Sequence, residues 1–112
     1  MKNKVSLSQS ARLDLLEIKE YISKELENPI AAKSTLRKIM DQIRTLWSQP
    51  FAGTPVPSAD LGREFRYLTS GNYMIFYHVR STEVYIDRVL YGRRDYLRIL
   101  FEDAWDDQDV KE

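Results

Sequence analysis

The chain has no cysteine and one histidine among its 112 residues. Disulfides and thiolate metal sites are therefore closed to it, and one imidazole does not make a zinc site. No apolar run approaches the ~20 residues that a membrane-spanning helix requires. The charged opening, Met1-Lys2-Asn3-Lys4-Val5, has no apolar signal core behind it. Lysine is missing from Ile39 to Val110, where every base is an arginine: Arg44, Arg63, Arg66, Arg80, Arg88, Arg93, Arg94 and Arg98. Net charge is missing too, at +0 overall, which speaks against a module that meets nucleic acid through a net basic field. The expectation is a cytoplasmic protein without cofactor or metal.

What is present is an ordinary folding composition. With 43% hydrophobic and 30% charged residues, disorder of the whole chain is excluded. The length makes one domain, able to bury roughly 60–70% of its unfolded surface. The neutral total conceals an asymmetry: residues 102–112 carry −5 and residues 1–101 carry +5. The organisation expected is a folded, mildly basic body over 1–101 and an acidic tail over 102–112. Arginine's planar fork suits phosphate, carboxylate and aromatic faces, although any single arginine can equally pack over a sheet or pair with Glu64, Asp87 or Asp95.

Lys2 to Leu7 alternates weakly and predicts a short strand. Ser8 or Ser10 then caps a helix, in which Ala11, Leu15, Ile18, Ile22 and Leu26 recur on one face with charges opposite. Asn28-Pro29 stops it and starts another, because asparagine caps well and proline at the first helical position loses no hydrogen bond. Ala32, Leu36, Ile39, Ile43 and Leu46 continue the stripe. So short a link predicts an antiparallel helical hairpin. Pro50, Gly53, Pro55 and Pro57 mark an irregular loop without ladder hydrogen bonds. Arg63–Thr69 alternates as a strand, Ser70-Gly71-Asn72 turns with type I′ or related geometry, and Tyr73–Tyr91 reads as a β-hairpin rich in aromatic and β-branched residues. Its second strand has no cleanly apolar side, which predicts a bulge or functional face near Asp87 and Arg88. Gly92-Arg93-Arg94-Asp95 breaks the pattern. Leu97, Leu100, Phe101, Ala104 and Trp105 then follow at helical spacing.

The order β-α-α-β-β-β-α predicts an α+β, two-layer domain with the helical hairpin packed on one face of an antiparallel sheet. The other face is expected to stay free and to carry Arg66, Arg88 and the Tyr91–Arg94 turn. From Leu7 to Phe101 this sequence resembles the RelE/ParE superfamily of toxins from bacterial type II toxin–antitoxin systems. The resemblance rests on Ala11-Arg12-Leu13-Asp14-Leu15-Leu16-Glu17-Ile18 with Tyr21-Ile22, on Ala32, and on Pro50 with Gly53. It continues through Arg66-Tyr67-Leu68, Tyr73-Met74-Ile75-Phe76-Tyr77 and Arg88-Val89-Leu90-Tyr91-Gly92-Arg93-Arg94-Asp95. Family members often carry histidine where this chain has Tyr91.

The resemblance implies a toxin neutralised by a cognate antitoxin, in a toxin–antitoxin hetero-oligomer. ParE-like members block DNA gyrase and RelE-like members cleave mRNA on the ribosome. The close-linked helical hairpin and the Asp14-Leu15…Ile18…Tyr21-Ile22 pattern favour the ParE branch. RNA cleavage by 2′-oxygen attack needs a proton acceptor, a proton donor and cations for the phosphorane. RelE-like ribonucleases have an arginine where this chain has Met74, and a tyrosine or histidine where it has Leu100 or Phe101; Arg94 alone is kept. A ribonuclease built on this chain would draw on Arg66, Arg88, Arg94 and Tyr91, and His78 reads as a half-buried structural residue. The resemblance further implies target contacts through Tyr91, Arg93, Arg94, Tyr96 and Arg98, and antitoxin contacts through Leu15, Ile18, Ile22 and Tyr77.

The basic turn gives the first test. If Arg93 and Arg94 meet the target, the Arg93→Glu/Arg94→Glu protein loses toxicity to growing bacteria with its thermal midpoint nearly unchanged. A structural role instead lowers stability by about 1 kcal/mol or more.

Overall fold

In a computed structural model, described over residues 4–56, 64–92, 96–100 and 102, the elements follow the expected order with one addition. They are β1 (Lys4–Leu7), α1 (Gln9–Glu20), α2 (Pro29–Arg44), β2 (Thr54–Pro55), β3 (Arg66–Ser70), β4 (Tyr73–Arg80) and β5 (Glu83–Tyr91). A π-helical turn, Tyr21–Glu25, extends α1, and a 3₁₀ turn, Thr45–Trp47, extends α2. Residues 96–100 are helical again. The Asp95 cap, the Arg93–Arg94 turn and the acidic tail beyond residue 102 lie outside the described residues.

The caps do what their chemistry dictates. The Ser8 hydroxyl accepts from the Ala11 amide at 3.0 Å, and the Asn28 side-chain oxygen accepts from the Ala31 amide at 3.0 Å. Pro29 sits in the first turn of α2, where its missing N–H costs nothing. The reversal between the helices puts Glu27 at φ 49°. In the β3–β4 turn only Gly71 has positive φ, so the turn is not type I′, which needs positive φ at both central residues.

The five strands form one sheet in the order β1-β5-β4-β3-β2. Pairing is antiparallel throughout except at one edge, where β1 lies parallel to β5. The proline-rich loop, expected to carry no ladder bonds, contributes β2. Thr54 and Pro55 register with Tyr67 and Arg66, and the Val56 amide donates to the Phe65 carbonyl at 2.8 Å. Proline is tolerated there because β2 is an edge strand, so its missing donor leaves no ladder bond broken.

Both faces of the sheet are covered, which corrects the expected free face. On one side Ala11, Ile39, Ile43 and Leu46 from the hairpin pack on Ile75, Tyr77, Val84, Ile86 and Val89. On the other, Val56, Phe65, Phe76, Leu90 and Leu100 form a second core, flanked by Tyr67, Met74, Tyr96 and Ile99. The helical segment 96–100 closes this face: Leu100 is fully buried and the Tyr96 ring stacks on Phe76 at 5.1 Å. Its Leu100 and Ile99 need an apolar partner, and the back of the sheet supplies one.

The β2 loop is fastened from inside. Tyr77 is fully buried, and its hydroxyl accepts from the Gly53 amide at 2.8 Å. Burial, the largest influence, raises the pKa of this phenol above the usual 10.0, so it stays neutral. A Cβ at position 53 would stand 2.6 Å from the Tyr77 hydroxyl and 2.8 Å from the Tyr67 carbonyl oxygen. Gly53→Ala should therefore cost about 2 kcal/mol or more by overpacking. A shift in the urea midpoint at constant slope is the measurement, and an unchanged midpoint would mean that the loop gives way freely.

Candidate functional site

The chemistry of the site begins with an irregularity in β5. Phe76 registers with Arg88 and Tyr77 with Ile86, so Asp87 is an extra residue, a β-bulge at the place the sequence pattern pointed to. Three side chains hold it. Ser8, while capping α1, donates its hydroxyl to the Asp87 carbonyl at 2.8 Å. His78, buried on the second face, lies with Nδ1 2.7 Å from the Asp87 carboxylate. Asp14 of α1 does the most. Its two carboxylate oxygens accept from Arg88 Nε and Nη2 at 2.8 and 2.9 Å, and one also accepts from the Val89 amide at 2.9 Å.

Asp14 is only 7% exposed. A buried carboxylate is tolerated when its lone pairs are met, and a forked guanidinium plus a backbone amide meets them. Asp14 stands at position i+3 of the Ala11, Asp14, Leu15, Ile18 stripe. An acid on an apolar stripe is a signal that a buried cation awaits it elsewhere, and that signal was present in the sequence although no role was assigned to Asp14.

The Asp14–Arg88 pair forms part of the wall of a cleft of about 810 Å³ between the turn end of the helical hairpin and the outgoing end of β5. Ile18, Tyr21, Leu26, Tyr73 and Tyr91 add apolar and aromatic walls. Tyr21, Leu26 and Tyr91 are each more than half exposed, at 55%, 56% and 56%. Tyr73 and Tyr91 meet edge to face across the strand pair at 5.3 Å. A concave surface of this size, with tyrosines and a salt bridge in its wall, can receive a ligand or a protein segment. Beside it a second cavity of about 370 Å³ is bordered by Tyr67, Thr69, Gly71, Asn72, Tyr73, Met74, Gly92 and Tyr96. No charged side chain lines this cavity among the described residues.

The residues singled out from the sequence fall in different places. Tyr91 and Arg88 line the cleft, Tyr96 lines the neighbouring cavity, and Arg98 is exposed and pairs with Glu102 at 3.0 Å. Arg93 and Arg94 lie outside the described residues. Arg66 is not with Arg88 and Tyr91: its Nη1 is tied to the Gly53 carbonyl at 2.9 Å and it borders a different pocket. Ile18 and Ile22 line the cleft, whereas Leu15 packs against the helix-side core. Tyr77, expected among the antitoxin contacts, is wholly buried and committed to Gly53. That assignment is corrected, since a side chain closed off by its own core meets no partner.

The family model described as "ParE toxin of type II toxin-antitoxin system, parDE" matches residues 5–96. Among solved structures, the chromosomal ParDE TA system from P. aeruginosa contains a chain similar to this one. It superposes with a TM-score of 0.69 at 22% identity, covering 82% of this chain and 98% of that one. The toxin–antitoxin complex RelBE2 from Mycobacterium tuberculosis gives a TM-score of 0.57 at 21% identity, covering 81% of this chain and 99% of that chain. At these identities the two likenesses concern the fold. No curated protein matches the chain.

Asp14→Ala should leave the Arg88 charge half-buried and the Val89 amide unmet, a loss of about 3 kcal/mol. Arg88→Met in the same background should add little, because both changes break one pair. Denaturant titration of the two single variants and the double variant checks this. Additive losses would show that the pair does not hold the bulge.

Proposed function

The chain belongs to the ParE toxin family of type II toxin–antitoxin systems, and from that membership we propose that it is a toxin that inhibits DNA gyrase by binding. It acts in the cytoplasm and is neutralised there by a cognate antitoxin. The observation that carries this reading is the lining of the 370 Å³ cavity beside Tyr91. There the sheet offers Met74, Tyr67 and Thr69, the helical segment 96–100 offers Tyr96, and there is no cation among the described residues. The RelE-like ribonucleases that the chain resembles have an arginine at the place of Met74. Phosphodiester cleavage needs charge at the phosphorane and a group that moves protons near neutral pH. A thioether supplies neither, and a phenol is by nature a weak acid and base near neutral pH. Of the ribonuclease set the chain keeps Arg94, which lies outside the described residues.

Binding asks for different groups, and the cleft has them. Exposed Tyr21 and Tyr91 are of a residue type that carries interface energy, and exposed Leu26 adds apolar surface beside them. The antitoxin's toxin-binding segment is acidic and meets a body of +5 charge by folding as it binds. Both similar solved structures are of toxin–antitoxin systems, which supports such a partner here.

Purified protein should stop gyrase from supercoiling relaxed plasmid and should leave ribosome-bound mRNA intact. Tyr91→Ala should weaken the inhibition by about tenfold or more, the loss of one buried aromatic contact. Ribosome-dependent cleavage of mRNA that disappears in Arg94→Ala would transfer the chain to the ribonuclease branch.

A further inference from the structure

One face of α1 turns four side chains toward the cleft: Asp14, Glu17, Ile18 and Tyr21, at spacing i, i+3, i+4 and i+7. Across from them, β4 and β5 bring Tyr73 and Tyr91, which register with each other on the helix side of the sheet. Three tyrosines from three elements therefore border one cavity, and a carboxylate stands among them.

The rings are arranged to receive a guest. Tyr73 and Tyr91 meet at 5.3 Å with their planes 70° apart. An edge-to-face contact occupies one ring face and leaves the remaining faces to other neighbours. Tyr21 and Tyr91 are both more than half exposed, so their faces can be reached from solvent. Tyr21 also stands close to Tyr73: burial first, and then the Tyr91 and Tyr21 phenols, raise the Tyr73 pKa above the usual 10.0. Tyr73 therefore keeps its proton at neutral pH. Each ring face presents the negative side of an aromatic quadrupole.

The charges beside the rings have the same sign. Among the described residues the cleft wall carries two acids, Asp14 and Glu17, against one base, Arg88. Asp14 and Arg88 neutralise each other in their forked pair. Glu17 is left over: it is exposed and has no ion-pair partner among the described residues. One helical turn on, Tyr21 lies beside it on the same face. An anion entering here meets a carboxylate and electron-rich ring faces, which repel it. A neutral apolar group would cover Glu17 and leave its charge unmatched. A cation satisfies both the rings and the carboxylate.

We propose that this cleft binds an arginine side chain of a partner protein, with the guanidinium against the tyrosine rings and hydrogen-bonded to Glu17. Arginine suits the site better than lysine, because its plane stacks on a ring while its N–H edge still reaches a carboxylate. A lysine ammonium holds its water more strongly and would have to shed it. At about 810 Å³ the cleft is far larger than one side chain. It therefore admits the segment that carries the arginine, with Ile18 and Leu26 as apolar contacts for the neighbouring residues. The inference rests on the cleft as a binding surface, but its test uses neither gyrase nor ribosome, so the two fail separately.

The test is a titration of the full chain with N-acetyl-arginine amide, followed by NMR of the tyrosine ring and glutamate side-chain signals. Saturable shifts are expected at Tyr21, Tyr91 and Glu17. N-acetyl-citrulline amide, of the same shape without the charge, should bind about tenfold more weakly or worse. N-acetyl-glutamate amide should shift none of the three. Glu17→Gln and Tyr21→Leu, both at exposed positions, should each weaken the arginine probe by about tenfold. Tyr21→Phe keeps the ring face and should keep the affinity, which a role for the hydroxyl does not foresee. Arg44→Ala, a charge change on α2 outside the cleft, should leave it unchanged. Equal binding of the citrulline probe, tighter binding of N-acetyl-lysine amide than of the arginine probe, or binding of the glutamate probe at these residues overturns the proposal. So does the absence of any saturable shift up to tens of millimolar arginine probe.

Discussion

The extra residue in β5 is the constraint on which the rest of the molecule turns. Side chains along a strand alternate between faces, so Val84 and Ile86, both in the helix-side core, would put Arg88 in that core as well. Insertion of Asp87 into the register shifts the phase. Val89 then enters the helix-side core and Leu90 the opposite one. Tyr91 comes to the helix side, where it meets Tyr73 at the rim of the cleft. One residue thus decides which half of β5 builds core and which half builds site.

A bulge leaves backbone groups without their ladder partners, and Asp87 lies just past Ile86, the last residue of β5 in register with β1. The chain holds this bulge with side chains from three elements. Ser8 takes the Asp87 carbonyl, Asp14 takes the Val89 amide, and His78 takes the Asp87 carboxylate. Two of the three belong to α1 or its cap, so helix and sheet are registered by hydrogen bonds as well as by packing. The cleft inherits its shape from that registration: one wall is α1 with its π-helical turn, the other is the outgoing end of β5, and Asp14–Arg88 spans them.

The local parts of this arrangement were legible in the sequence. Caps at Ser8 and Asn28, the two apolar stripes, the β4–β5 hairpin and the disturbed alternation near Asp87 are all encoded within a few residues, where propensity and periodicity act. What escaped depends on distance. Asp14 and Arg88 are 74 positions apart, and nothing short of the fold shows that the misplaced acid on α1 answers the misplaced base on β5. The parallel pairing of β1 and the small edge strand at Thr54–Pro55 escaped for the same reason, since an edge needs only a partner to become a strand. The covered second face was missed because Leu97, Leu100 and Phe101 were read as a stripe without a surface to meet. Tyr77 was mistaken for a contact residue because an aromatic run looks alike whether it faces solvent or core.

A shared fold leaves function to the lining of a few cavities, and here the lining limits what the fold can do. Met74 flanks a core with Phe76, Leu90 and Leu100, and Tyr96 lies stacked over Phe76. An arginine in place of Met74 would have to extend its charge past these rings or bury it against them, and an unpaired buried charge is the costlier course. The segment 96–100 closes the second core on the back of the sheet, while the tyrosine-lined cleft on the helix side stays open to solvent.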